Sequence, residues 1–132
     1  MKKIIFALVF AFVALGMFAQ NKTDKAITKL MYVKQGMKTV DAIAGELTNG
    51  VASENLAKYT AEMKTFKTDM LQKARESFKA NYTLSQLDAI YTECTSDKVD
   101  YTDLTNNFFA KWREYRGEYF RNAKQTYFKY KK

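Results

Sequence analysis

After residue 20 the hydrophobic positions of the chain repeat with the period of an α-helix, and no window shows the alternation typical of a β-strand. The first repeat advances in alternating steps of four and three residues, which is a heptad seam suited to close packing against another helix. This seam predicts a helix over about 24–49, with Asp24 as its N-cap and Asn49-Gly50 as its stop. The seam residues are Ala26, Leu30, Val33, Met37, Val40, Ala44, Leu47 and Val51.

Two further helices follow from periodicity and capping signals. Ser53, followed directly by Glu54, is typical of an N-cap and predicts a second helix over about 53–80. Thr83 with Gln86 three residues later matches a capping box, which predicts a third helix over about 84–95.

The last segment predicts a helix over about 103–130 whose aromatic and charged residues lie on opposite faces. Arg116 inside the apolar arc and Phe128 on the charged side depart from this division. Four helices joined by short loops predict an all-α bundle with mostly antiparallel neighbours. The apolar arc of the last helix contains Leu104, Phe108, Trp112, Tyr115, Tyr119, Ala123 and Tyr130, with Phe109, Phe120 and Tyr127 at its edge.

The N-terminus has the pattern of a secretory signal peptide. Lys2 and Lys3 precede an apolar run of 16 residues from Ile4 to Ala19, somewhat shorter than the roughly 20 residues that span a bilayer as a helix. Cleavage after Gly16 satisfies the small-residue rule best, whereas the ending FAQ resembles Bacteroidetes-type signal peptides and favours cleavage after Ala19. An uncleaved anchor is the alternative. We therefore expect a signal peptide over 1–19, a single helical domain over 20–132, and export to the periplasm or the outside of the cell.

Charge is distributed unevenly along the predicted domain. Residues 20–110 carry twelve basic and twelve acidic residues, whereas residues 111–132 carry eight basic residues against Glu114 and Glu118, an excess of +6. A local excess of this kind attracts anionic surfaces, and salt weakens the attraction.

Few residues suggest catalysis. Histidine is absent from the sequence, and with it the commonest general base and the usual zinc ligand. Cys94 is the single cysteine, which indicates either a small buried residue or an intermolecular disulfide. Asp97, Asp100 and Asp103 could offer oxygen ligands to a cation, but their position before a helix favours capping. We expect no catalytic residue, no cofactor and no metal site.

A short pattern lies within residues 78–115, made of Tyr82, Thr83, Leu87, Ile90 and Tyr91. It resembles a domain-of-unknown-function family of small exported bacterial helical proteins. In that family an aromatic residue precedes a Thr/Ser-capped helix with a leucine and an aromatic pair. The resemblance implies a small exported helical domain and supplies no site residue.

These patterns predict an exported, non-enzymatic binding or interaction protein, with self-association through the first helix as one mode. The alternative is a peripheral binder of a membrane or an anionic envelope polymer, and a carboxylate-dependent hydrolase is a third class. An envelope location argues against nucleic acid as a partner. The candidate binding surface comprises Arg113, Arg116, Arg121, Lys124, Phe128, Lys129, Lys131 and Lys132.

Overall fold

Helices make up nearly all of the part of the chain that the computed structural model describes, residues 22–132. The predicted signal peptide lies outside this range. The only β-type pairing within residues 22–132 is an isolated bridge between Val51 and Lys131. Counting α1 and α2 as one kinked helix, the predicted all-α bundle of four helices is confirmed. The elements are α1 (22–32), a 3-10 turn (Val33–Gln35), α2 (Gly36–Thr48), a second 3-10 turn (Ser53–Asn55), α3 (Leu56–Asn81), α4 (Leu84–Cys94) and α5 (Asp103–Tyr130).

Helix α3 is the antiparallel neighbour of both the kinked first helix and α5. Ion pairs across the two interfaces show the directions, because their residue numbers rise on one helix as they fall on the other. The first helix and α5 therefore run parallel to each other. The pairs are Lys79–Asp24 at 2.6 Å and Lys67–Asp41 at 2.5 Å toward the first helix, and Lys73–Glu118 at 3.5 Å and Lys129–Glu62 at 3.1 Å toward α5.

The core lies where these three helices meet and is rich in aromatic side chains. Phe78 of α3 and Phe108 of α5 pack with ring centroids 4.3 Å apart, and Tyr115 meets Phe78 edge-on at 6.0 Å. Burial of large rings contributes more to stability than the exposed ion pairs, which are worth about 0–1 kcal/mol each. The predicted seam and aromatic arc supply this core. Its largest fully buried residues include Trp112, Tyr59, Tyr119, Phe78, Phe108, Ile27, Leu30, Met31, Leu87, Ile90 and Val40.

The first helix is interrupted at Val33–Gln35, so the prediction of one continuous helix over about 24–49 is wrong at this point. Lys34 and Gln35 adopt left-handed backbone conformations with φ of 55° and 62°. The reason is tertiary. Trp112 of α5 lies so close to Gly36 that a Cβ atom there would be 2.7 Å from the indole nitrogen. The chain bends around this ring, and the Lys34 ammonium lies 4.0 Å from the centre of the Tyr101 ring.

Of the N-caps predicted for the first three helices, Asp24 and Ser53 are wrong and Thr83 is confirmed. Asp24 lies inside α1 and pairs with Lys79, and Ser53 begins a 3-10 turn that precedes α3. The Thr83 hydroxyl accepts a hydrogen bond from the Gln86 backbone at 3.1 Å, and the Gln86 side chain accepts one from the Thr83 backbone at 2.9 Å. This reciprocal pair is the predicted capping box.

Candidate functional site

Cys94, the one thiol of the chain, is buried in the core cluster. Burial raises its pKa, because a thiolate is poorly solvated there, and the sulfur lies 3.4 Å from the carbonyl oxygen of Tyr91. A raised pKa works against nucleophilic reactivity.

Within residues 22–132, no group of three or more His, Cys, Asp or Glu side chains is close enough to hold a metal ion.

The corner between α4 and α5 is closed by Glu93 and Thr102. The Thr102 hydroxyl donates a hydrogen bond of 2.9 Å to the Glu93 carboxylate, and the Thr102 backbone N–H donates a second one. These bonds, the backbone one first, lower the pKa of Glu93. Thr102 is the N-cap residue of α5 and Asp103 lies in its first turn, so the expectation that an aspartate caps this helix is wrong. Asp103 instead opposes the helix dipole.

Part of the predicted binding surface forms a continuous exposed line along α5, which we call the outer stripe. Arg113, Arg121, Lys124 and Phe128 are exposed and follow one another, through Gly117, at spacings of three and four residues that place them on one helix face. Lys131 continues the line just after the helix, where its ammonium lies 5.0 Å from the centre of the Phe128 ring. The outer stripe thus consists of four cations and one aromatic ring.

The cations of the outer stripe have no ion-pair partner within the described range. The two acidic residues of this segment are engaged elsewhere. Glu114 pairs with Lys111 at 3.8 Å, and Glu118 pairs with Lys73 of α3 at 3.5 Å. Four of the eight basic residues of 111–132 therefore form one line of unpaired charge along α5 and just beyond its end.

Phe128 is the apolar member of the outer stripe, and 54% of it is exposed. Its neighbour Tyr127 packs over Gly50, where an added Cβ atom would collide with the phenol. The two rings are 5.8 Å apart between centroids. Adjacent aromatic residues therefore have different roles: Tyr127 is part of the packing, and Phe128 faces water.

Arg116 does not belong to the outer stripe. Its guanidinium carbon lies 5.4 Å from the centre of the Trp112 ring, and its Nε atom is buried without a hydrogen-bond partner. Burial, followed by the nearby charge of Arg113, lowers its pKa. The cation in the apolar arc is thus accommodated by stacking on an aromatic face.

Lys129 is also separate from the outer stripe, because it turns toward α3. Its ammonium donates to Glu62 at 3.1 Å, and the Tyr130 hydroxyl donates to the same carboxylate oxygen at 2.9 Å. These two hydrogen bonds, that of Tyr130 first, lower the pKa of Glu62. Lys129 is therefore engaged in a contact within the chain.

The C-terminal residues are held by backbone hydrogen bonds, which the sequence did not indicate. The Ala52 N–H donates to the carbonyl of Tyr130 at 3.1 Å, and the Lys132 N–H donates to the carbonyl of Gly50 at 3.0 Å. We call this pairing, with the bridge between Val51 and Lys131, the C-terminal clamp. It fixes the backbone of Lys131 and Lys132, whose side chains remain exposed.

Comparison with family models found no match, and neither did comparison with curated proteins or with solved structures. None of the helices in residues 22–132 combines the length and the apolar character that crossing a membrane requires.

Proposed function

We propose that the protein is an exported, non-enzymatic binding protein of the bacterial envelope or the cell exterior, and that the outer stripe binds an anionic membrane surface. The observation that carries this proposal is the line of four cations without ion-pair partners along α5 and just beyond it, which includes the exposed Phe128. Each Lys or Arg near an anionic bilayer contributes about 1 kcal/mol. An aromatic ring beside them can enter the headgroup region, as in interfacial helices. The signal-peptide pattern and the family resemblance support export.

Two observations favour a membrane over the other binding modes. The seam of the first helix faces the core, with Leu30 and Val40 at 0% exposure, so it offers little surface for self-association. An anionic polymer would use the cations of the outer stripe but would leave Phe128 in water. A bilayer uses both.

Co-sedimentation with phosphatidylglycerol-containing vesicles tests the proposal. The triple variant Arg113→Gln, Arg121→Gln, Lys124→Gln should bind on the order of 100-fold more weakly than the wild type, since three contributions of about 1 kcal/mol are lost. High salt should release the wild type. The matched control Lys38→Gln, Lys58→Gln, Lys64→Gln removes the same charge from exposed lysines of α2 and α3 and should bind nearly as well as the wild type.

The variant Phe128→Ser separates a membrane from a polymer. It should weaken vesicle binding without changing binding to a soluble anionic polysaccharide, because only the bilayer contacts the ring. Equal binding of wild type and Phe128→Ser to vesicles would favour a purely electrostatic partner. Vesicle binding that is the same in the triple variant and its control would refute the role of the outer stripe.

A further inference from the structure

A second basic surface lies in a groove between α1 and α4, and none of its residues belongs to the outer stripe. Lys22, Lys25 and Lys29 follow one another at spacings of three and four residues, so they share one face of α1. The groove has a volume of about 230 Å³. Its walls are these lysines together with Ala26 of α1 and Leu84, Asp88 and Tyr91 of α4.

The lysines of this groove repel one another in the unbound protein. None of them has an ion-pair partner within residues 22–132, although Asp88 lines the same groove. Like charges three or four residues apart on a helix destabilise it. An anion held among the three ammonium groups would remove this repulsion.

Tyr91 and Asp88, on the other wall of the groove, indicate which chemical groups the rest of an anionic ligand would carry. Tyr91 is 37% exposed, and the Lys29 ammonium lies 5.5 Å from the centre of its ring. The Asp88 carboxylate has neither a hydrogen bond nor an ion pair within the described part, so its oxygens are free to accept from hydroxyl groups. A ligand that suits all three features is anionic at one end, hydroxylated, and apolar on one side.

We propose that this groove binds a small phosphorylated sugar or polyol. Lysine binds phosphate as a compact point charge, and three lysines line this groove to bind the phosphate end. Asp88 accepts hydrogen bonds from the hydroxyl groups, and the Tyr91 ring covers the C–H side of the ligand. The groove is smaller than the roughly 300 Å³ at which pockets for drug-sized ligands begin, which limits the ligand to a few carbon atoms. This site is additional to the proposed membrane contact and does not depend on it.

An NMR titration of the ¹⁵N-labelled protein with glycerol 3-phosphate tests this site. We expect saturable shifts of the amide signals of Lys25, Lys29, Asp88 and Tyr91. The variant Lys25→Gln, Lys29→Gln should weaken binding at least about tenfold, which corresponds to about 1.4 kcal/mol. The matched control Lys38→Gln, Lys58→Gln should not weaken it. All four substitutions are at exposed positions, so the fold is expected to persist and is checked by circular dichroism.

Three results would overturn this proposal. The first is the absence of saturable shifts in the groove, and the second is an equal loss of affinity in the control variant. The third is an affinity for inorganic phosphate equal to that for glycerol 3-phosphate, which would show that Asp88 and Tyr91 do not contribute to binding.

Vesicle binding shows whether the phosphate is instead part of a lipid headgroup. If the groove and outer-stripe variants both lose binding to phosphatidylglycerol vesicles, the two surfaces form one membrane contact. The proposal that the groove binds a separate soluble ligand is then wrong. If only the outer-stripe variant loses it, the groove is a distinct site. A wild-type protein that does not bind vesicles would therefore contradict the proposed function but not the proposed ligand of the groove.

Discussion

At the scale of single residues, Gly36 and Gly50 are required for close approach and not for a left-handed backbone. No glycine in residues 22–132 has a positive φ, whereas Lys34 and Gln35 do. A Cβ atom on Gly36 would lie 2.6 Å from the Met31 carbonyl oxygen, and one on Gly50 would collide with the Tyr127 ring. These glycines allow α5 to approach the first helix at Gly36 and the connection between α2 and α3 at Gly50 closely.

The variant Gly36→Ala should be destabilised by about 1–3 kcal/mol, because overpacking forces Trp112 or the backbone of Met31 to move. Urea unfolding followed by circular dichroism measures the change. Gly45→Ala in the same helix is the matched control. No atom lies within 4 Å of its Cβ position, so it should gain about 0.5–1 kcal/mol from helix propensity. A Gly36→Ala protein as stable as Gly45→Ala would contradict the packing argument.

At the scale of the elements, the C-terminal clamp joins the end of α5 to the connection between α2 and α3. Its hydrogen bonds use the backbones of Gly50, Ala52, Tyr130 and Lys132. Lys131 and Lys132 therefore stabilise the fold through their backbone atoms, and this contribution can be measured separately from that of their side-chain charges. A helix end that would otherwise fray is fixed at this point.

Deletion of Lys131 and Lys132 should lower the free energy of unfolding by about 1–2 kcal/mol, since it removes the bond from the Lys132 N–H to Gly50 and the bond from the Lys131 N–H to the Tyr127 carbonyl. Thermal unfolding measures the effect. The substitution of both lysines by glutamine keeps the backbone bonds and should change stability by less than about 0.5 kcal/mol. If the deletion and the double substitution behave alike, the clamp does not stabilise the fold.

Local signals made part of this fold predictable. The capping box at Thr83 and Gln86 depends on residues three positions apart, so it could be identified before the fold was known. The kink could not, because Lys34 and Gln35 carry no turn signal and their conformation follows from Trp112, which is remote in sequence. Spacing along α5 predicted all five residues of the outer stripe, together with Arg116, Lys129 and Lys132, which do not belong to it. It did not reveal that Lys129 turns toward Glu62.

The groove between α1 and α4 shows a different limit of sequence reasoning. Residues 20–110 are neutral in sum, because Lys22, Lys25 and Lys29 are balanced by acidic residues elsewhere in that segment. Among residues 22–132, Asp88 is the carboxylate that lines this groove in the folded protein, and the other acidic residues lie outside it. Net charge over a long segment therefore gives no information about a local cluster.

At the scale of the whole molecule, the seam of the first helix is internal, and this bears on the oligomeric state. Because Val40 is fully buried, the variant Val40→Glu should lose its fold rather than dissociate. Circular dichroism and analytical ultracentrifugation together measure this. Ala42→Glu, at an exposed position of the same helix, should fold normally. A dimeric wild type with a folded, monomeric Val40→Glu variant would show instead that the seam forms a dimer interface.

The parallel course of the first helix and α5 separates the two ends of the described chain. Thr23 lies beside Asn81, at the end of α3 that adjoins the start of α5, whereas Lys132 is bonded to Gly50 at the opposite end. Helix α5 has 28 residues and is therefore about 40 Å long. The two ends of the described chain thus lie at opposite ends of the bundle. A label or tether attached near residue 22 stays remote from the C-terminal clamp, and a C-terminal fusion is placed directly beside the connection between α2 and α3.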